Sequence, residues 1–267
     1  MKQQGFRHAK ALGQNFLSDE AILSRLVEAA EVGPHDTVFE MGAGMGDLSF
    51  FLAKACGKLI SVEVDGRLLP FLKLKLSGFD HVDILHSDAQ KLDMQALLAP
   101  YGPLRIVANL PYYITTPLVE SFLQLSLPLL SISVMVQKEA GQRILAGPGE
   151  DGWGPLPILC RVKTEPVKAL DVPAACFTPP PKVDSVFLHM PVRQEPLVPK
   201  EKQPAFFRLV RLAFAQKRKT LLNNLMPGYA LPRPQAEAIL AACGFAPTIR
   251  AEQMEIPDFL SLLELLP

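Results

Sequence analysis

Two short segments hold the side chains most suited to binding and transferring a small group. The first is Glu40-Met41-Gly42-Ala43-Gly44-Met45-Gly46, with a glycine at every second position from 42 to 46. Glycine lets the backbone turn tightly and lets a ligand lie against it with no Cβ between them. A dinucleotide fingerprint would put its third glycine at position 47, which is Asp47. A carboxylate at Glu40 is awkward beside a pyrophosphate. It suits a ligand with a cationic end, such as the ammonium and sulfonium of S-adenosylmethionine (SAM). Glu63 follows 21 residues after Gly42, where an acid can take both ribose hydroxyls, and Asp88 is placed to accept from the exocyclic amine of an adenine. By itself the loop also fits an ordinary turn; the two downstream acids favour the cofactor.

The second segment is Asn109-Leu110-Pro111-Tyr112. An adenine 6-amino group is a poor nucleophile because its lone pair is delocalised into the ring. If the Asn109 side-chain oxygen and the Leu110 carbonyl each accept one of its N–H bonds, the nitrogen is drawn toward tetrahedral geometry and its lone pair can face a methyl group. Pro111 fixes its own φ and biases Leu110 to an extended conformation, which aims that carbonyl. Tyr112 offers a stacking face. Such catalysis is positioning and electrostatics, with no strong general base. A proline-containing turn after a strand is the plainer reading of the same four residues.

The elements that must hold these segments alternate between strand and helix. Strands are expected at Thr37–Met41, Leu59–Val64, Val82–Leu85, Arg105–Asn109 and Ser131–Gln137. Helices are expected from Ser18 onward and over Asp47–Ala55, Arg67–Leu76, Pro117–Gln124 and Glu139–Leu145. Continuously apolar strands between helices predict an α/β fold with a parallel sheet covered on both faces. Beyond about residue 155 the pattern suggests β-like pieces at Ile158–Val162 and Val186–Met190. After Pro199 it becomes helical, over Pro204–Leu225, Pro234–Cys243 and Pro257–Leu265. The expected domains are residues 1–195 and a small all-α domain, 196–267.

Of the 267 residues 49 % are hydrophobic, which excludes a disordered chain. The net charge of zero hides an asymmetry: residues 1–185 carry a balance of −3 and residues 186–267 a balance of +3. Nine basic residues fall within 193–233, and Lys2, Arg7 and Lys10 precede any acid. Such patches attract phosphate backbones. The four cysteines have no metal spacing and read as buried free thiols of a reducing compartment. The five histidines form no H-E-x-x-H, and neither a G-x-S-x-G nor a P-loop is present, so no metal is expected. The N-terminus shows no apolar signal region, and the longest apolar stretch, Leu123–Val136, is broken by Pro128, so a cytoplasmic protein with no membrane contact is expected.

With these blocks in order, the chain resembles the ribosomal RNA adenine dimethyltransferases that act near the 3′ end of small-subunit rRNA, and its bacterial members in particular. The resemblance runs through Leu12-Gly13-Gln14-Asn15-Phe16-Leu17, the glycine loop, Val62–Asp65, Ser87-Asp88-Ala89, Asn109–Tyr112, Phe177–Ser185 and Phe214–Leu221. It implies a Rossmann-like class I SAM-dependent methyltransferase sheet that dimethylates two adjacent adenosines. Gln14, Asn15 and Leu17 would close over the cofactor, which Gly42, Gly44, Glu63, Val64, Asp88, Ala89 and Asn109 would bind. Phe177 would stack on a flipped adenine opposite Tyr112. Small-subunit rRNA would be the partner of a monomeric enzyme.

If Phe207–Leu225 is one helix, Phe207, Val210, Phe214, Leu221 and Leu225 form a stripe facing the α/β domain. Arg208, Arg211, Lys217, Arg218 and Lys219 would then be free to meet phosphates, although a charge run is often just a solvated face. Two alternatives share the fold. One is the antibiotic-resistance type of dimethyltransferase acting on large-subunit rRNA, which fits the Phe177–Ser185 block less well. The other is a non-catalytic ribosome-assembly factor, against which the intact Asn109–Tyr112 segment argues. The acidic segment Gly147–Trp153 departs from the family pattern, as does Tyr113, where many members have Asn.

Overall fold

The computed structural model describes residues 15–89 and 91–267. Its main sheet has seven strands: β2 (Thr37–Met41), β3 (Lys58–Glu63), β4 (Val82–His86), β5 (Leu104–Asn109), β6 (Leu129–Gln137), β7 (Val167–Val172) and β9 (Ser185–Pro191). They are ordered β4-β3-β2-β5-β6-β9-β7. The first five are parallel, as their alternation with helices requires, because a parallel return needs a crossover. β9 runs antiparallel to both β6 and β7. Only a 3-10 turn and the two-residue β8 (Phe177–Thr178) separate β7 from β9, with no α-helical crossover, so the chain returns antiparallel. The sequence pattern missed β7.

Around this sheet lie α1 (Glu20–Ala29), α2 (Asp47–Ala55), α3 (Leu69–Leu76), α4 (Met94–Leu98) and α5 (Thr115–Gln124). α1 starts at Asp19, whose carboxylate accepts the Ile22 N–H at 3.1 Å. Phe39, Ile60, Ile106, Ile132 and Val134 are at most 1 % exposed, as expected of strands covered on both faces. A short ribbon pairs β1 (Phe16–Leu17) with β8 (Phe177–Thr178).

The chain forms two compact units. One runs to Gly141 and resumes over Pro166–Val192; the other combines Gln142–Glu165 with Arg193–Pro267. Thus 142–165, expected in the first domain, belongs with the helical unit. There Ile158–Val162 is not a strand but part of α7 (Pro155–Lys163), which follows α6 (Lys138–Leu145). A run of five with a single polar residue, Arg161, has no period by which to tell helix from strand. Pro155, at the first turn, is the local signal for helix.

The long basic helix is also two helices, α8 (Gln203–Ala213) and α9 (Leu221–Tyr229); α10 (Arg233–Ala242) and α11 (Ile256–Leu263) complete the unit. Asn224 enforces the break. Its amide, 4 % exposed, donates to the carbonyls of Ala213 at 2.6 Å and Gln216 at 3.3 Å, so the end of α8 is satisfied without another turn. Thr220 then caps α9. Val210, Leu221 and Leu225, expected on an interdomain stripe, lie in this unit's own core with Phe206, Phe259 and Trp153. The four thiols are free; Cys56 and Cys160 are buried, whereas Cys176 and Cys243 are only partly so.

Candidate active site

β2 and β5 are neighbours, but the connection from β2 leads to β3 on one side while β5 lies on the other. At such a switch point the two outgoing loops diverge and leave a crevice beyond the carboxyl ends of the strands. The glycine loop leaves β2 there and Asn109–Tyr112 leaves β5. They line one cleft together with Asn15, Phe16, Leu17, Glu63, Val64, Met135 and Tyr113.

Gly42, Gly44 and Gly46 have φ of +79°, +60° and +84°. A side chain at 44 would also bring Cβ within 3.3 Å of the Phe16 ring, and one at 46 within 2.8 Å of Leu72. The loop is tied to β3, with the N–H groups of Gly42 and Ala43 donating to the Val62 carbonyl at 2.9 and 3.1 Å. Glu63 is 5 % exposed, and its two oxygens accept the N–H groups of Gly44 at 2.7 Å and Asp65 at 2.8 Å. Each carboxylate oxygen has a further lone pair, so Glu63 is aimed and still has acceptor capacity.

On the β5 side, Leu110 is buried and its N–H donates to the Met135 carbonyl at 3.2 Å. Pro111 has φ −59° and ψ 128°. The Tyr112 hydroxyl is 2.9 Å from Ser185 Oγ, and burial pushes its pKa up. The Asn109 side chain and the Leu110 carbonyl make no hydrogen bond with any described residue. They are the polar groups of this segment left for a ligand.

The other expected residues divide. Asn15, Leu17 and Val64 are on the cleft wall; Gln14 lies outside the described residues. Asp88 and Ala89 follow β4 at the same edge but are not on the wall, and Asp88 pairs with Lys91 at 3.7 Å. Phe177 is not on the wall either. It is 2 % exposed, in the core, and its backbone pairs with Leu17. Glu40 does not face the cationic end of a ligand: it is 1 % exposed, turned into the protein, with Oε2 2.6 Å from Ser61 Oγ. Burial raises its pKa from 4.5 to about 7.

Sequence reasoning passed over Ser185 and Met135 as supports. They lie far along the chain from the groups they hold, so no local spacing could reveal them. A cleft with a glycine backbone on one side, a fixed carboxylate, and apolar faces from Leu17, Val64 and Met135 fits SAM. Among the described residues no group of His, Cys, Asp or Glu is gathered as a metal site, and no helix is long and apolar enough to cross a membrane.

In the helical unit, Lys217, Arg218 and Lys219 sit on the exposed loop between α8 and α9 rather than on a helix. Lys217 reaches Asp151 at 3.2 Å. Arg208 stacks on Tyr229 at 5.0 Å, and Arg211 is exposed.

Residues 5–267 match the ribosomal RNA adenine dimethylase family. The chain is similar to the ribosomal RNA small subunit methyltransferase A of Geobacillus kaustophilus, with 41 % identity over 98 % of this chain and 92 % of that protein. The protein of the same name from Latilactobacillus sakei is also 41 % identical, over 100 % and 92 %. Among solved structures, a dimethyladenosine transferase from Plasmodium falciparum superposes with a TM-score of 0.78 at 25 % identity, covering 92 % of this chain and 95 % of that one. The 23S rRNA methyltransferase ErmE gives 0.73 at 28 % identity, covering 94 % and 99 %.

Proposed function

This chain belongs to the ribosomal RNA adenine dimethylase family, and on that premise we propose that it dimethylates the 6-amino groups of two adjacent adenosines near the 3′ end of small-subunit (16S) rRNA, with SAM as donor. The observation that carries the reading is the cleft shared by the glycine loop and the two uncommitted acceptors of Asn109 and Leu110. SAM supplies an electrophilic methyl group when bound.

Glu63 would hold the ribose hydroxyls of the cofactor and Asn15 and Leu17 would close the wall, while Asp88, at the same sheet edge beyond the wall, would take the adenine amine only by leaving Lys91. The target base cannot be reached inside a duplex and must be extruded. Tyr112, tethered through Ser185, offers it a fixed stacking face. The Asn109 amide oxygen and the Leu110 carbonyl accept its two N–H bonds and free the nitrogen lone pair. Because Pro111 restricts Leu110 to an extended conformation, that carbonyl points one way before the substrate arrives, and no reorganisation is needed. Phe177, from its core position, backs Leu17 rather than stacking on the base. The exposed Lys217–Lys219 loop, with Arg208 and Arg211, meets rRNA phosphates. The enzyme works as a cytoplasmic monomer and takes part in small-subunit biogenesis.

The ErmE likeness means that the fold alone does not select the subunit; the relatives about 40 % identical favour the small one. Isolated unmodified small and large subunits, incubated with radiolabelled SAM and the protein, distinguish them. Label should appear on two adjacent adenosines of the small subunit and vanish with Asn109→Ala, which should still bind subunits. Label on large subunits alone would refute the assignment.

A further inference from the structure

We propose that Tyr113 is a second stacking platform, taking the nucleobase next to the adenosine held in the cleft; this rests on the rRNA-adenine reading above. Tyr113 lines the cleft, yet it is 62 % exposed, the most exposed Phe, Tyr or Trp ring among the described residues. Its hydroxyl makes no hydrogen bond with any described residue. Tyr112 is its opposite: half-buried and tied to Ser185.

The two tyrosines open a 3-10 turn spanning Tyr112–Ile114. Three residues per turn set successive side chains about 120° apart. They therefore cannot clasp one base, and each presents its ring to a different part of the substrate. Both rings line the cleft, and the exposed outer one would meet the RNA strand where it leaves the base in the cleft. Extruding a base deprives its neighbour of a stacking partner, and an exposed ring at the mouth restores one. Any base has a π-face, so this contact needs no further polar group. With two adjacent target adenosines, Tyr113 would hold the second while the first is modified.

The test is steady-state methylation of unmodified small subunits by wild type, Tyr113→Ala, Tyr113→Phe and Tyr113→Trp, alongside calorimetric SAM binding and mapping of the modified adenosines. One stack corresponds to roughly a tenfold rise in subunit KM for Tyr113→Ala. Tyr113→Phe and Tyr113→Trp should stay within about twofold of wild type, since the ring rather than the hydroxyl acts. SAM affinity should be unchanged, and the alanine variant should leave dimethylation of the pair incomplete. Wild-type subunit KM in Tyr113→Ala overturns the proposal, as does an equal loss in Tyr113→Phe or a loss of SAM affinity. Wild-type protein that labels no small subunits would overturn the underlying function as well, so the two failures are distinct.

Discussion

Replacing Glu40 with glutamine should stabilise the protein increasingly as pH rises. Glu40 lies in β2 opposite Ser61 of β3, 1 % exposed, and its pKa is lifted from 4.5 to about 7 by burial, with the nearby carboxylates of Glu63 and Asp47 adding to the rise. The bond from Ser61 favours the ionised form but does not offset the desolvation. Between pH 4.5 and 7 the folded protein keeps a proton that the unfolded chain has released, so raising the pH across this window favours unfolding. Below it both states are protonated; above it both are ionised and the penalty is constant. A rise of about 2.5 units at about 1.36 kcal/mol each makes that penalty about 3 kcal/mol. Glutamine is neutral throughout and keeps an oxygen for Ser61. The stability difference between variant and wild type should thus widen by about 3 kcal/mol from pH 4.5 to 8, measured by urea unfolding with far-UV circular dichroism. A carboxyl-carbon NMR titration should place the Glu40 midpoint near 7. A difference that does not vary with pH, or a midpoint near 4.5, would refute the argument. Calorimetry on the same variant tests the corrected position: a collapse of SAM affinity would restore the direct contact that the sequence suggested.

Phe177→Ala removes a core ring and should cost about 3–5 kcal/mol, read as a fall in Tm; unchanged Tm with a lowered kcat would return Phe177 to the stacking role. Gly44→Ala forces a side chain into φ +60° and against Phe16; it should lose about 1–2 kcal/mol of stability and weaken SAM binding, both measurable by calorimetry. Asn224→Ala strips the Ala213 and Gln216 carbonyls of their donor, at about 1–3 kcal/mol. Fluorescence of Trp153, the only tryptophan, reports that loss from within the same unit. Changing Lys217, Arg218 and Lys219 together to alanine should lower the slope of log K against log salt for subunit binding by about 2; an unaltered slope would remove the loop from the interface.

The parts of the fold that were legible were those whose signal is local. β2 and α2 begin and end where the apolar run and the glycine loop place them. The carboxyl edge, and with it the meeting of Gly42 and Asn109, followed from strand–helix alternation. What failed depended on distant partners. Ile158–Val162 lies in a helix and its four apolar residues are all buried, so its sequence shows no polar face and its own residues suit either state. The helix expected through Phe214–Thr220 is broken by a side chain, Asn224, that looks unremarkable in sequence. Glu40 is a charged residue type beside a ligand loop, but in a strand the side chain's face is set by register, and register turns it toward Ser61.

The hydrogen bonds around the cleft separate its fixed parts from its working parts. Glu63 is fixed by two backbone N–H groups, the glycine loop by Val62, Leu110 by Met135, and Tyr112 by Ser185. Each of these bonds locks a group whose direction matters more than its own affinity for a ligand. Among the described residues the Asn109 amide oxygen and the Leu110 carbonyl have no such bond, and they are the pair a primary amine with two N–H bonds requires. Acceptors left unpaired beside a largely apolar wall cost the folded protein stability. A protein that needed only a stable turn after β5 would gain by closing them onto its own backbone. Their exemption is what the proposed transfer requires, and on that proposal Asn109 is expected to lose turnover rather than stability when truncated.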